Sequence, residues 1–161
     1  MDCAVAMSVY FARLRFFSTH NKSYMRSMMQ KVLQSGNVGL AMLPIRLWCG
    51  SMMMYHGWSK ISDNPQEFVA WVHTDLFLPE FLGWAAIGGE FLGGLLLLLG
   101  LWTRVGALLV LSTMLVAGFV AHKDDPWSKK EHALGYAVLA GALFIAGGGM
   151  ASFDERLSRR G

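Results

Sequence analysis

The chain has 161 residues, of which 54% are apolar and only 16% are charged, and its formal net charge is +3. This length suits a single domain, and the composition, with Gly 18 and Met 11, is typical of a membrane protein. The basic residues are too few and too dispersed to form a nucleic-acid surface. The sequence therefore predicts the lipid bilayer, and no nucleic acid, as a partner.

The first 37 residues are polar and basic and nearly free of acidic residues. Their short apolar stretch, Cys3–Ala12, precedes the basic residues, which is the reverse of a secretory signal. We interpret residues 1–37 as a basic cytoplasmic tail on anionic lipid, or as an over-long gene start with Met25, Met28 or Met29 as the true first residue. A transit peptide is the remaining alternative, and no function is assigned to this segment.

Four apolar blocks are long enough to cross a membrane as helices: Val38–Trp58, Phe81–Trp102, Val105–Ala121 and Ala133–Met150. Each falls in the range of about 17 to 25 residues that spans the hydrocarbon core. Only Thr103 and Arg104 separate the second block from the third, which predicts a tight helical hairpin. The sequence therefore predicts an all-α fold, with a four-transmembrane-helix bundle over residues 38–154 and a basic cytoplasmic tail at 155–161.

The distribution of lysine and arginine predicts the orientation of this bundle. One side would carry Arg13, Arg15, Lys22, Arg26 and Lys31 before the first span, Arg104 in the hairpin, and Arg156, Arg159 and Arg160 after the last span. The other side would carry Lys60, Lys123, Lys129 and Lys130, mixed with acidic residues. By the positive-inside rule, both termini are expected in the cytoplasm.

The link between the first two spans contains a signature of a helix start. Asn64 is a capping residue, Pro65 suits the first helical position, and Glu67 supplies an acid in the first turn. Aromatic and apolar residues then share one face at i, i+3 and i+4, namely Phe68, Trp71 and Val72. This pattern predicts a short interfacial helix between the first and second spans, which could lid the outer end of the bundle. The alternative is a loop anchored by Trp71 alone.

Small residues in the apolar blocks predict how the helices pack. Gly89 and Gly93 form a GxxxG pair, Gly94 adjoins it, and Gly57 lies near the end of the first span. Helix association in lipid depends on close backbone approach, which small residues permit. These glycines predict a compact bundle, and the GxxxG surface allows either internal packing or a homo-oligomer.

Glu90 is the most informative residue in the chain. From Phe81 to Ala121 the only other charged residue is Arg104. A charge near a helix centre costs about 2.5 to 3.5 kcal/mol on insertion scales, so Glu90 is expected to be protonated, paired or facing a wet cavity. Counted from the predicted cytoplasmic ends, Arg46 lies about 12 Å and Glu90 about 18 Å deep, which predicts an intramembrane Arg46–Glu90 pair. That pair would either pin two helices together or line a polar pocket or proton path.

Histidines and cysteines give little sign of a metal or redox centre. His56, His122 and His132 fall near the predicted outer ends of three spans, but their spacing carries no metal-site signature. Cys3 and Cys49 form no CxxC motif and would lie at different depths. We therefore predict no metal site and no intrinsic cofactor, we assign no catalytic role to any residue, and the chain is not expected to be an enzyme on its own.

From about Leu43 to Asp154 the sequence resembles the DoxX family of small bacterial membrane proteins. Matching polar positions recur in order, namely Arg46, His56, Lys60, Glu90, Arg104 and Glu131. Matching glycine-containing and terminal motifs are Gly93-Gly94, Leu99-Gly100-Leu101, Gly147 to Gly149 and Ser152-Phe153-Asp154. The loop from His122 to Lys130 and the N-terminal tail depart from the family pattern.

The resemblance implies a multi-pass protein of the bacterial cytoplasmic (inner) membrane. Some relatives are subunits of an archaeal thiosulfate:quinone oxidoreductase, and a mycobacterial relative joins a complex with a superoxide dismutase and a sulfurtransferase. Two functions follow as hypotheses. In the first, the chain is a membrane subunit of an oxidoreductase complex, with a quinone as the candidate ligand and a redox partner protein supplying electrons. In the second, it is a membrane scaffold or a small-molecule permease. The six matched polar residues form the candidate intramembrane site in both.

Overall fold

The computed structural model describes residues 37–158, and this part of the chain is helical without a β-strand, so the all-α class is confirmed. In chain order, the helices are α1 (Asn37–Ser62), α2 (Pro65–Thr74), α3 (Glu80–Leu99), α4 (Thr103–Val116), α5 (Trp127–Ala146) and α6 (Phe153–Ser158). A π-helical turn, Ala117–Ala121, continues α4. The predictions for the N-terminal tail lie outside the described residues.

Three helical stretches are long and apolar enough to cross a membrane: Val38–Ser62, Glu80–Leu99 and Thr103–Ala121. They make this a multi-pass membrane protein and correspond to the first three predicted spans. Helix α5 differs because Lys129, Lys130 and Glu131 lie in its first two turns. It also ends at Ala146, before the end of the predicted fourth block. The fourth span therefore stays a prediction.

Helix α2 forms where the sequence signature predicts a helix. The side chain of Asn64 accepts a hydrogen bond from the backbone N–H of Glu67 at 3.3 Å, and Pro65 occupies the first turn. Val69 and Val72 are buried on its inner face, where Val69 packs against Gly83 of α3. The helix is thus held against the start of α3, and its position at a membrane surface stays a prediction.

Glycines bring α1 and α3 into backbone contact. A Cβ atom at Gly57 would lie 2.5 Å from the backbone nitrogen of Phe91, and one at Gly50 would lie 2.7 Å from that of Leu98. A Cβ atom at Gly94 would similarly meet the carbonyl oxygen of Gly50 at 2.8 Å. These contacts are equally spaced on both helices, so they fix one antiparallel register between α1 and α3.

Glycines also join α3 to α4. A Cβ atom at Gly93 would lie 3.1 Å from the carbonyl oxygen of Gly106, and one at Gly89 would lie 2.6 Å from Oγ1 of Thr113. The GxxxG pair therefore faces a neighbouring helix within the chain. Around these contacts lies the apolar core, whose fully buried members include Cys49, Leu97, Val110, Ala140 and Leu143.

The π-helical turn at the end of α4 changes the direction of the side chains that follow it. The N–H of His122 donates to the carbonyl of Ala117, five residues earlier, at 2.9 Å. Gly118 lies inside this turn, where a Cβ atom would come within 2.9 Å of the Leu134 side chain on α5. A wider turn accommodates one more residue than an α-helical turn, so His122 is presented on a different face from the one that a regular helix would give it.

We expect two glycine-to-alanine substitutions to differ in their effect on the stability of the bundle. Gly57→Ala should lower the stability of the bundle by roughly 1 to 3 kcal/mol, because its methyl group would clash with the backbone of Phe91. Gly135→Ala should be neutral or stabilising, because a Cβ atom there meets nothing within 4 Å and alanine favours the helix. Melting temperatures in detergent test this pair. Equal losses for both variants would contradict the close α1–α3 contact.

Candidate functional site

Glu90 is paired with Lys60 inside the bundle. Glu90 lies in the middle of α3 with only 3% of its surface exposed. Both of its carboxylate oxygens accept hydrogen bonds from Nζ of Lys60, at 2.6 and 2.5 Å. Lys60 belongs to the last turn of α1, and its long stem brings the ammonium group down to the depth of Glu90. The buried carboxylate is therefore neutralised by a partner from the neighbouring helix.

The predicted Arg46–Glu90 pair is wrong. In the antiparallel register fixed by the glycines, Arg46 lies beside Gly100 at the end of α3, whereas Trp58 lies next to Phe91, the neighbour of Glu90 in the chain. Twelve residues of α1 separate those two depths, which is about 18 Å along the helix and beyond the reach of an arginine side chain. The prediction failed because both depths were counted from the predicted ends of the spans, and α1 extends further past the end of α3 than that count assumed.

Arg46 instead binds the segment that follows α5. Its guanidinium group donates to the carbonyl oxygens of Gly148 at 2.7 Å and Ala151 at 3.2 Å. Gly100, with φ of 68°, lies beside it, and a Cβ atom there would come 2.5 Å from the guanidinium nitrogen. Only glycine fits both this left-handed conformation and the space beside the guanidinium group. Arg46 is therefore a structural link between α1, the end of α3 and the C-terminal segment.

Asp154 completes this arrangement at the same end of the bundle. Its carboxylate accepts hydrogen bonds from the backbone N–H groups of Trp102 at 2.7 Å and Thr103 at 2.8 Å. It thereby caps the start of α4, where backbone donors have no partner within the helix. The motif Ser152-Phe153-Asp154 thus has a structural role as the cap of the helical hairpin.

The remaining predicted site residues do not join the Lys60–Glu90 pair. His56, Arg104 and Glu131 are exposed. The ring of His56 lies 6.4 Å from that of Tyr136. Of the six polar residues predicted to form one site, the structure brings only Lys60 and Glu90 together.

A cavity of about 580 Å³ lies beside the Lys60–Glu90 pair. Its walls are mainly apolar and come from α2, α3, α4 and the π-helical turn. Polar side chains reach it at five positions, which are Lys60, Glu90, Ser112, Thr113 and His122. Helix α2 covers one side of the cavity with Phe68, Trp71 and Val72. A mostly apolar cavity with a few polar groups is the usual form of a small-molecule site.

Lys60 is held in a defined position at the wall of this cavity. Its ammonium group lies 4.9 Å from the centroid of the Phe68 ring, on α2, in addition to its bonds to Glu90. An ammonium group has three N–H donors, and Glu90 accepts two of the hydrogen bonds. The third donor is available to an acceptor atom in the cavity.

His122 lines the cavity at the end of the π-helical turn. Its Nδ1 lies 2.7 Å from a carboxylate oxygen of Asp125, and Lys129 donates to the other oxygen at 3.1 Å. These two hydrogen bonds hold the pKa of the Asp125 carboxyl below its usual range. The contact with Asp125 also orients the imidazole ring, which leaves Nε2 as the free ring nitrogen. Among residues 37–158, no group of three His, Cys, Asp or Glu side chains is arranged to hold a metal ion.

The family model of DoxX matches residues 41–123 of the chain. This chain belongs to the DoxX family. The match contains both members of the Lys60–Glu90 pair and all the residues that line the cavity, so the cavity belongs to the part of the chain that is typical of DoxX proteins. No curated protein and no solved structure matches the chain.

Ser112 and Thr113 are cavity residues that the sequence analysis missed. They lie in the third apolar block, and each hydroxyl donates to the carbonyl of Leu109 at 2.9 Å. A pair of adjacent hydroxyl side chains within a membrane span was the available signal. It is a weak signal, because serine and threonine satisfy their own hydroxyl groups on the helix backbone.

We expect Arg46 and Arg104 to differ sharply in their contribution to stability. Arg46→Gln should lower stability by roughly 1 to 3 kcal/mol, because it strands two carbonyl acceptors that a charged donor satisfies. Arg104→Gln should change stability by less than about 0.5 kcal/mol, because Arg104 is exposed. The measurement is the melting temperature of each variant in detergent. An unaffected Arg46→Gln protein would contradict the structural role of Arg46.

Proposed function

We propose that this DoxX protein is the membrane subunit of an oxidoreductase complex, and that its cavity binds the head group of a lipophilic quinone. The observation that carries the proposal is the buried Lys60–Glu90 pair on the wall of an otherwise apolar cavity of about 580 Å³. A quinone is an apolar ring with carbonyl acceptors. It needs an apolar cavity and at least one donor, and the free N–H of Lys60 supplies that donor.

The ion pair suits such a ligand better than an isolated charge would. Glu90 orients the ammonium group of Lys60 through two hydrogen bonds, so the third donor points in a fixed direction. The pair carries no net charge, which allows it to face an apolar ligand without the cost of an unpaired ion. A buried carboxylate beside a ligand is also a common proton relay in membrane proteins.

Electrons would come from a partner protein in this proposal. The sequence contains only two cysteines, Cys3 and Cys49, which are too few to ligate an iron–sulfur cluster. It also has no glycine-rich fingerprint for a dinucleotide. The role assigned to this chain is to bind the quinone and to position it for a redox partner.

We also propose that α5 is a fourth span, that α2 lies at the outer membrane surface, and that both termini lie in the cytoplasm of a bacterium. The excess of lysine and arginine in the tails and at Arg104 supports this orientation. The apolar part of α5, from Ala133 to Ala146, is about 21 Å long, and the turn that follows it would complete the crossing. Exposed aromatic side chains on α2 and before α3 support an interfacial position, with Trp71 and Phe77 as examples.

Labelling of single cysteines with a membrane-impermeant maleimide tests this topology. In a background without native cysteines, Ser128→Cys in the first turn of α5 should be labelled in spheroplasts, because this end of α5 is expected to face outward. Ser158→Cys after α5 should be labelled only when the membrane is opened. The cysteine-free parent is the control. Labelling of both positions from the same side would mean that α5 does not cross the membrane.

Quinone binding is the direct test of the proposed function. Decylubiquinone is titrated into the protein in lipid nanodiscs, and quenching of tryptophan fluorescence reports binding because Trp71 lines the cavity. We expect Glu90→Gln and Lys60→Met each to raise the Kd about tenfold or more, which corresponds to about 1.4 kcal/mol. Glu80→Gln removes an exposed carboxylate on the same helix and is the matched control. Its Kd should equal that of the wild type.

Two results would overturn the proposal. If the wild-type protein does not bind decylubiquinone, or if Glu90→Gln binds it equally well, the pair only joins helices and the scaffold or permease hypothesis is preferred. The partner is tested separately, by purification from native membranes in mild detergent. A stoichiometric oxidoreductase is expected in the preparation, and a protein that purifies alone would contradict the complex.

A further inference from the structure

Part of the cavity wall is formed by exposed side chains. Leu82 and Ala85 of α3 line the cavity and are exposed, and so are Leu109, Ser112 and Val116 of α4. The exposed fraction is 37% for Leu82 and 46% for Val116. A cavity whose lining is also on the surface of the bundle has an opening there. The opening therefore lies between the exposed stripes of α3 and α4.

Both stripes lie on helices of membrane-spanning type, whose exposed surfaces are expected to meet lipid. Both helices are long and apolar enough to cross the membrane. Leu109, Ser112 and Val116 follow one another at i, i+3 and i+7, so they form a single stripe along α4. Leu82 and Ala85 have the equivalent spacing on α3. The side opening of the cavity is thus within the membrane, while α2 covers another side with Phe68 and Trp71.

Small side chains account for the position of the opening. At the depth of Gly89 and Gly93, α3 and α4 are in close contact through Thr113 and Gly106. Towards the start of α3, the facing residues on the two helices include Ala85, Ala86 and Ala117. These short side chains line the same cavity as Lys60 and Glu90 and leave space between the helices at this depth.

We infer that the ligand of this cavity is a tailed amphiphile taken directly from the bilayer. Its oxygen-bearing head group lies at Lys60 and Glu90, and its hydrocarbon tail leaves between Ala85 of α3 and Val116 of α4. The inference rests on the proposed function for the nature of the head group. It adds that the tail contributes to binding, and that Ala85 and Val116 determine which tails pass.

Two probes with the same head group test this inference. One is decylubiquinone, and the other is its dimethoxy-methyl-benzoquinone head group without a tail. Ala85→Phe fills the opening from α3, and Val116→Phe narrows it from α4. Ala41→Phe adds the same side chain at an exposed position of α1 that does not line the cavity. Kd values for both probes are measured in nanodiscs, after each variant has been shown to keep the wild-type melting temperature.

We expect Ala85→Phe and Val116→Phe to raise the Kd for decylubiquinone about tenfold. The Kd for the tail-less probe should stay within about twofold of the wild type. Ala41→Phe should bind both probes as the wild type does. An unchanged Kd for decylubiquinone in both opening variants would overturn the inference and leave the quinone proposal standing. An equal loss of both probes would also overturn it, because the substituted residue would then block the head group. A wild-type protein that binds neither probe would overturn both proposals.

Discussion

A buried charged group in an apolar helix bundle is costly in free energy unless its side chain reaches an opposite charge or a hydrogen-bonding partner. In this protein the depth of each charge is fixed by the glycine contacts between α1 and α3, which hold the two helices in one register. Lys60 then reaches Glu90, and Arg46 reaches the carbonyl oxygens of Gly148 and Ala151. The closeness of two backbones thus determines which polar groups meet. These contacts leave no space for a Cβ atom, so α1 and α3 cannot slide past each other without first moving apart.

Arg46, which is buried, and Lys60, which is partly buried, have different roles at the two ends of the bundle. The guanidinium group of Arg46 donates hydrogen bonds to backbone carbonyl groups. Arg46 has almost no exposed surface and does not line the cavity. The ammonium group of Lys60 binds the Glu90 carboxylate at the edge of a cavity, and about a quarter of the Lys60 side chain is exposed. A buried guanidinium group whose hydrogen bonds go to backbone carbonyl groups, as in Arg46, stabilises the fold. A polar group that keeps a donor directed into an open space is able to bind a ligand, and this difference supports our assignment of the site to Lys60 and Glu90.

Much of the fold follows from local sequence signals. The start of α2 depends on Asn64 and Pro65, which are adjacent in the chain, and glycines such as Gly57 and Gly93 mark the helix faces that allow close packing. The partner of Glu90 was not predictable in the same way. It depends on the relative depth of two helices, and the depths expected from the sequence were in error by about two helical turns, which exchanged Lys60 for Arg46. The cavity was harder still, because it arises where short side chains from separate helices happen to face each other.

The π-helical turn Ala117–Ala121 lies between residues that pack in the core and residues that line the cavity. Earlier on α4, Gly106 and Val110 contact Gly93 and belong to the packed core. Residues of the turn itself, and His122 after it, line the cavity. Loss or gain of one residue in the turn would rotate the residues that directly follow it, His122 among them, by about 100°. The number of residues in this turn, and not only their side chains, therefore sets which groups line the cavity.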